Sequence, residues 1–313
     1  MRNENRLYHV VALVTAALWG TTFVSSKILL DEGLSPAEIM ALRFALAYVC
    51  ILPFAPRRLF ADNLRDEAAM AVLGITGGSM YFLLENTALV YTHASNVAII
   101  IASTPLLTTL AVQATGRGER AGRGLYLCSL LSLAGVAMVV FNGQFILKLN
   151  PKGDLLTLGA ALMWVAYSLV VLRLKDRYSS LFTTRKIFFY GVATLLPYFA
   201  FRPFEADWAT LLRPAVAGNL LYLGIVASLV CYWTWNLSIE KLGAIRAANY
   251  LYLNPVVAMI TAAAVLGERI TAMAVAGAAL ILLGVWMAEK HKSAEPRAEG
   301  DEAAEGKYSR SDE

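Results

Sequence analysis

An all-α integral membrane protein, with ten transmembrane helices arranged as two inverted five-helix repeats, is the fold class this sequence predicts. Three observations carry the expectation. The 313 residues are 58% hydrophobic and 16% charged, with mean hydropathy +0.56, against about 45–50% apolar and about 25% charged in soluble domains. The apolar residues gather into segments near the ~20 residues that a helix needs to cross ~30 Å of hydrocarbon. Two of those segments, ENTALVYTHASNVAIIIASTPLL from Glu85 and WNLSIEKLGAIRAANYLYLNPVV from Trp235, repeat one pattern about 150 residues apart.

The segments follow in order. His9–Leu30 comes after Arg2 and Arg6. Its apolar run exceeds the ~7–15 residues of a signal-peptide core and no small-residue cleavage site closes it, so it reads as a retained first helix. Pro36–Ala55, Ala68–Tyr91, Ala94–Thr115 and Gly122–Phe141 complete a first set of five. Gly153–Leu172, Leu181–Phe201, Pro214–Trp235, Ala244–Leu266 and Thr271–Ala288 form the second. Short connections make consecutive helices antiparallel. With the N-terminus inside, most of the 27 lysines and arginines fall on cytoplasmic flanks, and only Lys148, Lys152, Arg202, Arg213 and Arg269 on outer ones. That bias predicts both termini cytoplasmic, in a bacterial cytoplasmic (inner) membrane. The expected domains are a short cytoplasmic N-terminus (1–6), repeats at 7–142 and 143–288, and a charged tail (289–313) whose composition predicts disorder.

The duplication is carried by polar and special residues. Asn86 pairs with Asn236, Ala94 with Ala244, Ala98 with Ala248 and Pro105 with Pro255. GERAGRGLYLCSLLSLAGVAM from Gly118 pairs with GERITAMAVAGAALILLGVWM from Gly267, which sets Gly135 on Gly284. LWGTTF around Trp19 pairs more weakly with LMWVAY around Trp164. Five helices per copy is an odd number, so the second copy enters the membrane upside down. Such repeats place a central site near the midplane, opened alternately to each side as the halves rock.

At these residues the chain resembles the EamA-type members of the drug/metabolite transporter superfamily. The likeness covers roughly 7–288 and rests on Trp19-Gly20, Arg43-Phe44, ALVYTHAS through to Pro105, and GER…AGV repeated as GER…LGV. The resemblance implies export or exchange of small solutes, often amino acids or related metabolites. The aromatic density of CYWTWN and NYLYLNP departs from the usual pattern.

Polar residues inside the apolar segments are the site candidates. Pro105 and Pro255 each remove a backbone donor and free a carbonyl four residues earlier, on Ile101 and Leu251. In lipid such groups need partners, so the pair reads either as hinges beside a cavity or as static kinks. Glu85 costs about 2.5–3.5 kcal/mol at mid-membrane unless it is paired, protonated or wet. It reads either as a proton-coupling or substrate-amine site, or as a structural ion pair with Arg43 or Lys27; the resemblance implies that an arginine at position 43 is common in the family, so for Arg43 the structural reading leads. Trp19, Tyr81, Trp164, Tyr167 and Tyr250 with Asn96, Thr104, Asn249 and Asn254 would line a cavity of aromatic walls and neutral hydrogen-bonding groups, suited to an amphipathic solute. Glu119 and Glu268 read as carboxylates at helix N-termini, offsetting the macrodipole. Gly74 and Gly78 in GITGG permit close helix approach, read as packing within one subunit.

The composition excludes several classes. Three scattered cysteines and three histidines supply no metal site, disulfide framework or nucleophile motif. A net charge of +4 makes no case for nucleic acid. No G-x-x-x-x-G-K-[ST] loop is present to bind ATP. The expected activity is a secondary transporter without cofactor or enzyme chemistry. Its expected partners are a small-molecule solute and the lipid bilayer, with protons a candidate coupling ion. A flippase for lipids or lipid-linked carriers is the alternative with a similar fold. A membrane-embedded enzyme would need a cluster of titratable groups, and Glu85 is the only acidic residue deep within an apolar segment.

Overall fold

A computed structural model describes residues 2–91, 94–115, 122–141, 150–267 and 269–294. The tail expected to be disordered lies, from residue 295, outside these described residues. Every regular element among them is helical. Helix α1 is Arg2–Asp31 and α2 is Pro36–Ile51. Helix α3 spans 64–91, with a wider π-helical stretch at Ile75–Ser79. Helix α4 joins Ala94–Ala102 to Thr104–Thr115. Then come α5 (Arg123–Phe141), α6 (Pro151–Leu174) and α7 (Ser180–Phe201). After a single turn, Trp208–Leu211, α8 spans 214–242 with its own π-helical stretch at Tyr222–Val230. Helix α9 joins Ala244–Asn249 through a 3-10 turn, Tyr250–Leu253, to Asn254–Leu266, and α10 is Ala272–Ala294.

Among the described residues, eight helices are long and apolar enough to cross a membrane. Helix α2, at 16 residues, and α7, with Arg185 and Lys186 buried near its start, fall outside that group.

Local chemistry explains where the helices start and stop. At α2, Ser35 and Glu38 close a capping box, and Pro36 follows at the first helical position. At α7, Ser179 Oγ accepts from Phe182 N–H at 3.3 Å. The second Gly-Glu-Arg motif does not open a helix as expected. Gly267, at φ +70°, ends α9 in the left-handed region, and Thr271 caps α10 by accepting from Ala274 N–H at 3.2 Å. Glu119, Glu268 and Gly118 lie outside the described residues.

Both prolines begin the second part of a broken helix. The carbonyl that Pro105 frees on Ile101 accepts the Thr104 hydroxyl at 2.5 Å. The one that Pro255 frees on Leu251 accepts Asn254 N–H within the 3-10 turn. Each break is satisfied by the residue just before its proline, so neither exposes a bare backbone group to lipid.

The helix contacts come in matched sets. Helix α3 packs on α6 and α7, as α8 packs on α1 and α2; α4 packs on α6, as α9 packs on α1; α2 meets α7, and α5 meets α10. Small residues set the closest approaches, as expected where helices pack in lipid without a hydrophobic drive. A Cβ on Gly77 would stand 2.4 Å from the Tyr167 ring, and one on Gly74 2.4 Å from Tyr190 Cβ. The GITGG run therefore packs within the chain. The same approach recurs where Gly224 meets Leu46 at 2.5 Å. Gly135 would meet the Gly277 carbonyl at 2.6 Å, and Gly284 the Cys128 carbonyl at 2.8 Å.

Candidate functional site

The described chain has two ends. One holds the start of α1 and the 52–63 and 175–179 connections; the far end holds the 32–35 and 202–213 connections. Between them, α1, α2, α3, α6, α7 and α8 contribute a buried aromatic box. Trp19 stands edge-on to Trp164 at 5.5 Å between ring centroids, and Phe44 edge-on to Phe188 at 5.1 Å. Tyr232 touches Trp19, Phe44, Trp164, Tyr167 and Phe188. Edge-to-face rings at this spacing are an attractive arrangement.

Most polar edges of the box are satisfied. Trp19 Nε1 donates to the Ala227 carbonyl at 2.9 Å, and Tyr232 Oη to the Gly77 carbonyl at 2.6 Å. Tyr167 Oη donates to Asn236 Oδ1 at 2.6 Å, and Asn236 Nδ2 to Thr184 Oγ1 at 2.8 Å. The indole nitrogens of Trp164 and Trp235 are buried without an acceptor among the described residues.

On the far side of the box lies a cavity of about 600 Å³, lined by Glu38, Phe82, Leu83, Asn86, Thr87 and Phe199 with neighbours on α1, α2 and α7. A smaller space of about 160 Å³ lies at the opposite end, beside Lys175, Glu240 and Lys241. Phe82 links cavity to box: it lines the cavity and touches both Phe44 and Tyr81.

Charge enters at this link. Arg43, 6% exposed, donates from Nε to Ser228 Oγ at 2.8 Å, and its guanidinium lies 5.5 Å from the Phe82 ring centroid. Tyr81 Oη donates to Glu85 at 3.1 Å. Arg43 and Glu85 act on each other electrostatically, but no direct ion pair joins them. Lys27 is exposed on α1.

The sequence candidates thus divide. Trp19, Tyr81, Trp164 and Tyr167 come together, with Arg43 and Glu85 beside them. Tyr250 belongs elsewhere, in a second core cluster, where His9 Nδ1 and Tyr250 Oη are 2.8 Å apart. Asn249 is buried with neither amide atom partnered among the described residues, and Asn254 Oδ1 is likewise unpartnered. Thr104 is buried and spends its hydroxyl on the backbone. The Asn96 side chain lies outside the description. Of these expected lining residues, none with a described side chain borders the larger cavity, whose Asn86 the sequence had marked only as the repeat partner of Asn236. Phe44, Phe82, Phe188 and Ser228 were also missed. The match of Phe44 with Phe188 at a spacing near that of Trp19 with Trp164 was the available signal.

A dense ionic cluster at the N-terminal end was missed too. Asp66, fully buried, accepts from Arg177 at 2.7 Å and from Tyr178 at 2.8 Å. Glu67 accepts from Lys186, Tyr190 and, at 2.7 Å, Ala61 N–H. Nearby, in the exposed 52–63 connection, the Arg58 hydrogen bond holds the Asp62 carboxyl below the usual range.

Comparison with known proteins gives the same picture. The model of the EamA-like transporter family matches residues 6–141 and 151–289. An uncharacterized transporter of Archaeoglobus fulgidus is 27% identical, over 92% of this chain and 100% of that protein. A protein of Streptantibioticus cattleyicolor named "probable terminal-alkyne amino-acid exporter" is 27% identical, over 88% of this chain and 91% of its own. An Escherichia coli protein named "probable amino-acid metabolite efflux pump" is 26% identical, over 89% and 93%. A solved crystal structure superposes with TM-score 0.73 at 17% identity, covering 90% of this chain and 98% of that one, which shows a shared fold. With its apolar helices, this is an integral membrane protein, and the chain belongs to the EamA-like transporter family.

Proposed function

We propose that the protein is a secondary transporter that exports or exchanges a small organic solute, such as an amino acid or related metabolite, by alternating access between two inverted five-helix repeats. The observation that carries this reading is contact between equivalent residues. Trp19 touches Trp164, and Phe44 touches Phe188. Residues related by a two-fold axis meet only on that axis, so the box would sit where the halves join. Contacts off the axis recur in pairs: Gly74 on Tyr190 matches Gly224 on Leu46, and Gly135 on Gly277 matches Gly284 on Cys128. The duplicated family match and the paired π-helical stretches support the same symmetry. On this reading the chain crosses ten times, and the lysine and arginine bias puts both termini in the cytoplasm, so that the larger cavity faces outward. Its lining mixes apolar groups with the neutral Asn86 and Thr87 and the charged Glu38, Arg202 and Glu205, as a solute with an apolar part and polar ends requires. The relatives named as amino-acid exporter and amino-acid metabolite efflux pump favour a solute of that kind.

Proteoliposomes loaded with radiolabelled amino acids test the reading. Counterflow above that of protein-free vesicles is the expected result. Lipid scrambling without amino-acid flux would instead establish the flippase alternative.

A further inference from the structure

The repeat itself separates what the fold needs from what it does not. Phe44 corresponds to Phe188, and the contact of Gly74 with Tyr190 corresponds to that of Gly224 with Leu46. In that register Arg43 corresponds to Ile187, which is fully buried. Glu85 corresponds to Trp235, also buried. The second half therefore builds the same helix contacts with an aliphatic and an aromatic side chain where the first half holds two charges. A structural role would not require either charge.

Arg43 is also incompletely satisfied. Its Nε donates to Ser228, and two rings lie near the guanidinium, Phe82 at 5.5 Å and Phe44 at 6.0 Å. Among the described residues neither Nη finds a hydrogen-bond acceptor and no carboxylate closes an ion pair on the group. A buried cation without an anionic partner is costly, and an Arg fork is shaped to hold a carboxylate in two parallel hydrogen bonds. It stands beside Phe82, which forms part of the cavity wall.

We propose that Arg43 anchors the carboxylate of the transported solute, which enters through the larger cavity and meets the guanidinium between α2, α3 and α8. This assignment rests on the transporter reading for its physiological meaning, but binding tests it independently.

The test uses the purified full-length chain and thermal unfolding with matched probes: a panel of L-amino acids of aromatic, aliphatic and polar side chain, and the amide of each. At least one amino acid should stabilise the wild type more than its amide does. Arg43→Gln should lose about 10- to 100-fold in apparent affinity for that acid, as removal of a charge-assisted hydrogen bond implies, and should no longer distinguish acid from amide. Arg43→Lys should recover part of the preference. Without ligand, Arg43→Ile, the residue of the second half, should melt no lower than the wild type. The assignment is overturned if every amide stabilises as well as its acid. It is equally overturned if Arg43→Ile lowers the melting temperature and Glu85→Gln added to it restores the loss, since that is an ion pair holding the fold. Flux separates the two readings. A wild type that moves amides as fast as acids keeps the transporter and ends the role of Arg43. Binding through Arg43 with no flux ends the transporter and keeps the site.

Discussion

Arg43 and Glu85 are charges that the duplication does not copy, and they sit where the aromatic box meets the larger cavity. A charge in the membrane interior costs several kcal/mol unless it finds a partner or water. Among the described residues Glu85 has one hydrogen bond, from Tyr81, and the electrostatic company of Arg43. If it carries a coupling proton, Glu85→Gln should fold and bind solute yet lose pH-driven accumulation, while solute-for-solute exchange survives. If it only neutralises Arg43, the Gln variant leaves a buried cation, and a stability loss of roughly 3–5 kcal/mol should dominate instead. Melting temperature and proton-driven uptake, measured on one preparation, separate these. A stable variant with unchanged pH dependence ends the coupling role. These residues could be named from the sequence because a charge in apolar sequence is visible there. Their surroundings could not, because Ser228 approaches Arg43 across 185 residues of chain.

At the scale of elements, α2 and α7 each begin with a charged side chain that grips the backbone of the other half. Glu38 accepts from Glu205 N–H at 2.6 Å and Ala206 N–H at 2.8 Å, in the connection from α7 to α8. Arg185 donates to the carbonyls of Pro56 and Arg58, in the connection from α2 to α3. The signs are opposite because one clasp finds amides and the other carbonyls. Glu38 also accepts the Ser35 N–H at 2.7 Å and hydroxyl at 2.6 Å, so Glu38→Ala strips four donors of their acceptor. We expect a loss of about 1–2 kcal/mol, since losing the capping interaction costs ~0.5–2 kcal/mol and the freed donors, on the exposed Ser35 and Glu205 and the half-buried Ala206, can turn to water. Thermal unfolding checks it, and a variant that melts like the wild type refutes the clasp. The Ser35–Glu38 capping box is readable in the sequence as S-x-x-E before an apolar run. The reach of Glu38 into the other half is not, because nothing local records which loop lies opposite.

At the scale of the whole molecule, orientation and symmetry are linked. In the proposed topology an even number of crossings would put both termini on one side, and five per half would invert the second copy. Reporter fusions after Leu147 and after Glu289 should read outside and inside respectively. The opposite signal from either fusion would refute the ten-crossing topology and the inverted repeat together.

Composition, segment length and the cation pattern were enough to derive an all-helical membrane protein, because burial in lipid constrains every residue of a crossing helix at once. The duplicated Asn, Pro and Gly-Glu-Arg residues likewise indicated a repeat and the transporter family without any contact being known. Which residues share a site was decided only by tertiary structure. Trp19 and Trp164 were paired by sequence and also touch. Tyr250 and Trp19 looked alike in composition, yet one packs beside His9 and the other in the aromatic box. Helical periodicity tells which face of one helix is apolar, but the neighbour of that face depends on how several helices pack together. That choice is made by close approaches such as Gly77 on Tyr167 and Gly135 on Gly277, between residues far apart in the chain.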